Sequence, residues 1–93
     1  MTNVLFISCA FSRPERTYDT MAAAVQSLGG RCVEIHYALW HIKTDDSAGA
    51  VRERLKPVLD VNDQLVVIDA SNGKAAWINL RKDASGSLRE LDL

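Results

Sequence analysis

Two short segments of this chain are apolar on both faces, and this restricts the folds open to it. Residues 4–9 begin Val-Leu-Phe-Ile, and residues 65–68 read Leu-Val-Val-Ile. Successive side chains of a strand point to opposite faces of its sheet. Each segment therefore predicts a strand whose two faces both need cover.

Between these strands the sequence predicts a first helix, which is the clearest element of the chain. Ser12 followed three residues later by Glu15 is the pattern of a capping box, and a proline is tolerated in the first helical turn. Apolar side chains then recur at helical spacing from Tyr18 to Leu28. The pair Gly29-Gly30 predicts the end of this helix.

The middle of the chain predicts two strands and a second helix. The strands are expected at about residues 31–36 and 39–43, joined by a turn that contains no Gly, Asn or Pro. Residues 44–47 offer several helix N-caps, and Val51 and Leu55 lie on one helical face after them. Pro57 should kink this helix or mark its end.

The order βαββαβ predicts a ferredoxin-like α+β sandwich with an antiparallel sheet in the strand order 4-1-3-2. Residues 1–80 form the expected single domain, residues 77–80 are a candidate fifth strand, and residues 81–93 are expected to be a solvated tail. In this order the third strand separates Cys9 from Cys32, and neighbouring strands lie about 4.8 Å apart. The two thiols should therefore be too distant to form a disulfide.

Composition and charge narrow the class of protein. The chain has 93 residues, of which 47% are hydrophobic, and a formal net charge of −1. This charge lacks the basic excess of most nucleic-acid-binding domains, although a local arginine cluster can suffice. The two cysteines favour a reducing compartment, and no apolar run approaches the roughly 18 residues of a membrane span. We expect a cytoplasmic protein with no membrane partner and no cofactor.

The apolar strands also predict a partner subunit. Helices cover one face of a ferredoxin-like sheet, so side chains of the first and fourth strands should leave an apolar patch on the other face. Large exposed apolar patches usually mark interfaces, and a twofold homodimer is the simplest way to cover one. The alternative is that C-terminal residues fold back over the patch in the same chain.

Four segments stand out in order along the chain: VLFIS at residues 4–8, YALWHIKT at 37–44, RERL at 52–55 and NDQLVVI at 62–68. With these segments the chain resembles the SinR-like family of small proteins, which is related to the CRISPR-associated protein that partners the spacer integrase and to VapD-like ferredoxin-fold proteins. A helical segment that ends in Leu28-Gly29 also fits. The resemblance spans roughly residues 4–80.

The resemblance implies a ferredoxin-like homodimer with kinship to metal-dependent nucleases and nucleic-acid scaffolds. In the nuclease relatives a Tyr-Asp pair ends the first strand, and two symmetry-related aspartates hold a divalent cation that activates water. This chain has Cys9 and Ala10 there, and alanine cannot ligate Mg²⁺. Asp69 should lie at the opposite end of the sheet and Asp19 one to two turns into the helix, so neither replaces the aspartate.

The best candidate site is an anion site at the start of the first helix. Backbone N–H groups there, with Ser12, Arg13 and Arg16, form a candidate phosphate or nucleic-acid contact. The structural alternative is a capped helix start with two solvated arginines. His36 and His41 flank the predicted hairpin but make no convincing metal site, since such sites normally need three or four protein ligands.

These observations favour a non-catalytic homodimeric scaffold or nucleic-acid-binding protein that contacts DNA or RNA through Arg13 and Arg16. Two alternatives stay open. One is a divergent metal-dependent endonuclease or toxin-type ribonuclease, for which Mg²⁺ would be the metal. The other is a small-molecule-sensing regulatory domain that binds its ligand at the dimer interface.

Overall fold

A computed structural model describes residues 2–73 and 75–90 of the chain. Four strands and two helices follow one another in the predicted order, and a third helix comes after them. Their bounds are β1 Asn3–Ala10, α1 Pro14–Gln26, β2 Cys32–His36, β3 Leu39–Thr44, α2 Ala48–Leu55, β4 Gln64–Asp69 and α3 Lys82–Glu90. A short 3-10 turn, Lys56–Val58, contains Pro57 and follows α2, so the predicted end of the helix at this proline is confirmed.

The strands form one antiparallel sheet in the order β2-β3-β1-β4. Read from the other edge, this is the predicted order 4-1-3-2, and the ferredoxin-like arrangement is confirmed. β1 lies inside the sheet and pairs with a strand on each side. Phe6 is opposite His41 of β3 on one side and Ile68 of β4 on the other. β2 and β4 are the two edges of the sheet.

The main core lies between one face of the sheet, here called the helix face, and helices α1 and α2. The strands contribute Leu5, Ile7, Trp40 and Ile42, each at most 1% exposed. The helices contribute Met21, Val25, Val51 and Leu55, which are buried to the same degree and belong to the same cluster. Burying a large aliphatic side chain of this kind contributes about 1.5–3 kcal/mol. The core therefore fixes both helices against β1 and β3.

The predicted capping box at the start of α1 is wrong. The helix begins at Pro14, its N-cap is Arg13, and no side chain caps it. The reason is Pro14 itself, because a proline fits the first helical position but pushes the residue before it out of the helical region. Arg13 accordingly has φ −134° and ψ 80°, so Ser12 lies one residue too early to act as the cap.

The end of α1 follows the prediction from Gly29 and Gly30. Both have positive φ, and Gly30, at φ +69°, lies so close to β3 that a Cβ would overlap the carbonyl oxygen of Lys43. Only glycine fits such an approach without strain. The N–H of Lys43 also donates to the carbonyl of Arg31 at 2.9 Å, which fixes the chain beside β3 as it enters β2.

The β2–β3 hairpin turns at Tyr37 and Ala38, although neither is a usual turn residue. Ala38 has φ 59°, a left-handed conformation that costs a residue with a Cβ roughly 1–2 kcal/mol. A carboxylate oxygen of Glu34 accepts the Ala38 N–H at 2.9 Å, and the Tyr18 hydroxyl donates to the same carboxylate at 2.6 Å. Glu34 thereby ties the turn to α1, and its hydrogen bond raises the pKa of Tyr18 to about 12.

The second face of the sheet, here called the open face, is partly covered by C-terminal residues. Ala84 and Leu88 of α3 are buried with Ile35 of β2, and this small cluster also includes Trp77 and Leu80. The described part of the expected tail is therefore a packed helix, not a solvated segment; residues 91–93 lie outside the described residues. Arg81 anchors its start through a hydrogen bond to the Glu34 carbonyl.

The candidate fifth strand at residues 77–80 is also wrong. Within the described chain these residues form no strand; they pack irregularly over the open face, and Asn79 has φ 61°. Trp77 lies under the guanidinium of Arg89, whose carbon is 5.6 Å from the ring centre. Packing of side chains, not pairing of backbone, holds this segment on the sheet.

Both cysteines are free and half-buried. Cys9 lies in β1 and Cys32 in β2, with β3 between these strands, which confirms the predicted separation. Burial raises the pKa of each thiol to about 11. Both thiols are therefore protonated and unreactive near neutral pH, because the thiolate is the nucleophile.

Candidate functional site

A carboxylate of the chain itself binds Ser12, in the loop just before α1. The backbone N–H of Ser12 donates to Oδ1 of Asp63 at 2.8 Å, and the Ser12 hydroxyl donates to the same oxygen at 3.1 Å. The other oxygen, Oδ2, accepts the N–H of Asp60 at 2.9 Å. These hydrogen bonds hold the pKa of Asp63 below its usual value, and the bond from the Ser12 N–H has the largest effect.

A second aspartate of the same loop also contacts α1. The hydroxyl of Thr17, one turn into α1, lies 3.3 Å from Oδ2 of Asp60. The loop before β4 thus binds to the start of α1 through two aspartates. Of the three predicted anion-site residues, Ser12 is used in this contact, while Arg13 and Arg16 are exposed and have no ion pair among the described residues.

Sequence reasoning missed Asp63, although the strand order contains a signal for it. β4 runs antiparallel to β1 with Ala10 opposite Gln64, so the residue before Gln64 lies beside the residues that follow Ala10. The order 4-1-3-2 therefore already brings residue 63 near residues 11 and 12. Asp63 accepts the N–H groups of Ser12, which precedes the N-cap Arg13, and of Asp60, so it satisfies donors of two loops and not those of the helix itself.

The end of β1 carries no replacement for the nuclease aspartate at Ala10. Asp69 is opposite Leu5, at the other end of β1, as predicted. Asp63 lies near Ala10 but is committed to Ser12 and to the backbone of Asp60. Among the described residues no three His, Cys, Asp or Glu side chains form a group that could hold a metal ion.

The two histidines lie in different surroundings. His36 is exposed at the end of β2, whereas His41 lies in β3, is 1% exposed and packs on Phe6 with ring centres 4.7 Å apart. Neither ring nitrogen of His41 has a hydrogen-bond partner among the described atoms. Burial, with a smaller effect of Lys43, lowers the pKa of His41 to about 4, so the ring is neutral.

The aromatic side chains support packing more than base stacking. Trp40 is buried in the main core, and Trp77 packs in the cluster under α3. One exposed aromatic is present: Tyr37 stacks on Tyr18 with ring centres 5.0 Å apart and an angle of 9° between the planes. Glu34 and Asp19 lie near Tyr18, which makes these surroundings acidic and unfavourable for a nucleic-acid backbone.

The part of the open face that α3 does not cover is a strip along β4. Val66 and Ile68 are each 53% exposed, and both point to this face with Ser8 and Phe6 of β1 opposite them. Ile78, 82% exposed, borders a small apolar pocket of about 300 Å³ that Phe6 and Trp77 also line. Ile68 is the cross-strand partner of Phe6, which lines this pocket, so the strip on β4 begins beside the pocket.

A larger crevice of about 570 Å³ lies at the far end of the sheet, beside Gly29 and Gly30. Its charges are mixed: Arg31, Lys43 and Arg54 line it together with Asp45 and Asp46. Arg54 is held by Asp46 at 2.8 Å. This crevice therefore selects neither an anion nor a cation.

These features define a class of protein: a small ferredoxin-like sandwich with two helices on one face of its sheet, a third helix on the part of the other face near β2, and an exposed apolar strip on the edge strand β4. No family model matches the chain, and no curated protein and no solved structure matches it. Within the described residues, no helix is both long and apolar enough to cross a bilayer.

Proposed function

We propose that this protein is a non-catalytic scaffold that works as a homodimer, of the kind implied by its resemblance to the SinR-like family. The observation that carries the proposal is the apolar surface left beside α3. The C-terminal residues cover the open face near β2 and β3 but leave Val66, Ile68 and Ile78 in contact with solvent. Exposed apolar side chains grouped on one face of a sheet often mark a protein interface.

The non-catalytic part of the proposal rests on the end of β1. Alanine at position 10 has no group that ligates a metal or takes a proton. The nearest aspartate is fixed by Ser12 and the backbone of Asp60, and its lowered pKa makes it a poor base. A group held in this way stabilises a loop and does not activate water.

The dimer is tested by placing charge on the apolar strip. Val66→Lys and Ile68→Lys should each weaken self-association by at least about tenfold, because each substitution replaces apolar contacts with the partner subunit by a charge, twice in a twofold dimer. Light scattering on a sizing column at several protein concentrations measures the change in mass. Val61→Lys is the matched control, because Val61 is 96% exposed but lies outside the strip. The proposal fails if wild type and all three variants have the mass of one chain at every concentration.

Nucleic-acid binding is a second candidate, favoured by the exposure of Arg13 and Arg16. In a twofold dimer these guanidinium groups would occur twice, and they are the part of the predicted site that Asp63 leaves available. The many carboxylates near α1 predict weak binding that only low salt reveals. The double variant Arg13→Ala/Arg16→Ala should then lose retention of duplex DNA or RNA, measured by fluorescence anisotropy.

Arg52→Ala is the control for this measurement, since Arg52 is also exposed but is paired with Glu53 at 2.9 Å. Equal loss in the control and in the double variant would mean that general charge, not the start of α1, binds the nucleic acid. Absence of binding by the wild type at low salt would remove the nucleic-acid candidate and leave the scaffold proposal intact.

A further inference from the structure

Among residues 2–73 and 75–90, no strand pairs with the outer side of β4. β4 is an edge strand, and β1 occupies only its inner side. The N–H of Ala70 donates to the carbonyl of Val4 at 2.8 Å, which fixes the direction of the alternating backbone groups. In an antiparallel ladder every second residue bonds to the same neighbour. Residues 66 and 68 therefore bond inward, whereas Leu65, Val67 and Asp69 direct their N–H and C=O groups outward.

This edge lacks the usual protection against pairing. Edge strands are normally blocked by a lysine, a proline or a bulge. β4 contains no lysine or proline, its pairing with β1 runs without a register shift, and its one charged residue, Asp69, stands at its end. The Asp69 carboxylate is also held by Ser71 at 2.5 Å. Nothing within β4 opposes the approach of another strand.

We propose that two copies of this chain join by antiparallel pairing of β4 with β4, which gives a continuous eight-stranded sheet with Val67 on the twofold axis. This inference rests on the homodimer of the proposed function and specifies how the two subunits meet. The occupant is a second copy because the outward hydrogen-bonding groups of the strand, the spacing of its charges and the apolar side chains at its centre all match themselves.

Hydrogen bonding favours the register centred on Val67. In that register Val67 pairs with Val67 of the partner subunit, and Leu65 pairs with the partner's Asp69 at each end. All three outward residues then exchange both of their backbone hydrogen bonds. A shift by one bonding pair in either direction leaves an outward residue of β4 without a partner inside the strand.

Charge favours the same register. Centring on Val67 puts the two Asp69 side chains four positions apart, about 14 Å along the strand. A shift toward the start of β4 places Asp63 opposite the partner's Asp69. A shift toward its end places Val67 opposite the partner's Asp69, so that the two Asp69 side chains are diagonal neighbours only two positions apart. Like charges that face each other across strands are destabilising.

Side chains on both faces fit this arrangement. On the open face, Val66 stands opposite the partner's Ile68, and Ile68 opposite the partner's Val66. Each of these side chains, 53% exposed in the single chain, is covered along the flank that faces its cross-strand partner, and the outer surface of the four remains on the open face. On the helix face the two Val67 side chains meet, each already packed at the margin of the main core.

A cysteine at position 67 tests the pairing. Val67→Cys should form a disulfide-linked dimer in most of the protein under mild oxidation, since paired residues of adjacent strands have Cα atoms about 5.5 Å apart. Leu65→Cys is the matched control on the same strand and face. It should stay unlinked alone, yet link when mixed with Asp69→Cys. The native thiols should not interfere, because burial keeps both protonated.

The same experiment separates this inference from the proposed function. If the apolar open faces packed against each other instead, the two cysteines at position 67 would lie on the outer sides of the assembly and would not link. A dimer by mass without this link therefore overturns the β4 pairing and leaves the homodimer standing. A single chain at every concentration overturns both.

Hydrogen exchange of the wild type gives a second measurement that needs no substitution. Pairing predicts that the amides of Leu65, Val67 and Asp69 exchange at least about tenfold more slowly in concentrated than in dilute protein. The amides of Val66 and Ile68 face β1 and should change less. Equal exchange of the three outward amides at both concentrations would contradict the pairing.

Discussion

At the scale of single residues, His41 stands out because it is a buried polar group without a partner. Both ring nitrogens lack a hydrogen bond among the described atoms, and the side chain is 1% exposed. An unpaired buried polar group costs roughly 1–3 kcal/mol. The chain tolerates His41 only as the neutral ring, which is the physical meaning of its pKa of about 4.

This residue predicts a pH dependence of stability. The folded pKa of His41, about 4, lies below its ordinary value of 6.5, so between these values the unfolded chain binds more protons than the folded one. Stability should therefore rise with pH through this window and be lost as pH falls through it. From pH 7 to pH 5 the wild type should lose about 2 kcal/mol more than His41→Leu, as measured by urea unfolding.

At pH 7 itself His41→Leu should be as stable as the wild type or more stable by about 1 kcal/mol, because the substitution removes two unpaired nitrogens at similar volume. Hydrogen bonds from Ser12 and Ser71 lower the pKa values of Asp63 and Asp69 respectively. Protonation of these two carboxylates therefore also lowers the free energy of unfolding at acid pH. They are unchanged in the variant, so the difference isolates His41. If the free energy of unfolding fell equally in both proteins between pH 7 and pH 5, protonation of His41 would not contribute to the acid dependence of stability.

The start of α1 shows how far residue patterns predict local structure. Ser12 and Glu15 have the spacing of a capping box, but Pro14 sets the helix start one residue later. The hydroxyl of Ser12 then binds Asp63, which is 51 residues away in the chain. A cap depends on neighbours in sequence, whereas this contact depends on the pairing of β1 with β4. Local pattern alone therefore could not identify it.

At the scale of elements, the strands and first two helices were predictable, but α3 was not. Runs of apolar residues predict β1 and β4, and a long apolar stripe followed by two glycines predicts α1. Of the α3 side chains that the structure describes, only Ala84 and Leu88 are buried, in a sequence of serine, glycine and charged residues. A helix this short and this polar is marginal by itself and forms because it packs on β2.

The weak sequence of α3 gives a prediction about stability. Gly86 lies inside this helix, and a Cβ added there would meet no atom within 4 Å. Gly86→Ala should raise the free energy of unfolding by about 0.5–1 kcal/mol, because glycine costs a helix interior conformational entropy. Thermal and urea unfolding measure the change.

Gly30→Ala provides the contrast for this experiment. Gly30 has φ +69°, and its added Cβ would overlap the backbone of Lys43, so this variant should be destabilised by more than about 2 kcal/mol. A neutral effect of Gly86→Ala would mean that α3 is already detached from β2 in solution and does not cover the open face.

At the scale of the whole molecule, the central question is how a sheet with two apolar faces is covered. The helix face is covered by α1 and α2, as its sequence predicts. On the open face C-terminal residues cover the part near β2 and β3, which is the single-chain alternative, whereas the strip on β4 stays exposed. The sequence did not predict which part of the open face the residues after β4 cover. Trp77 and Leu80 pack on the sheet without forming a strand, so they leave no periodic pattern in the sequence.

The mass of the unmodified protein in solution tests this account most directly. One chain has a mass of 10.3 kDa, so the homodimer has twice that mass, about 21 kDa. Sedimentation equilibrium over a range of concentrations should show the mass rising toward this value as concentration increases. A mass that stays at that of one chain up to the highest concentration would contradict the homodimer, and with it the scaffold function and the pairing through β4.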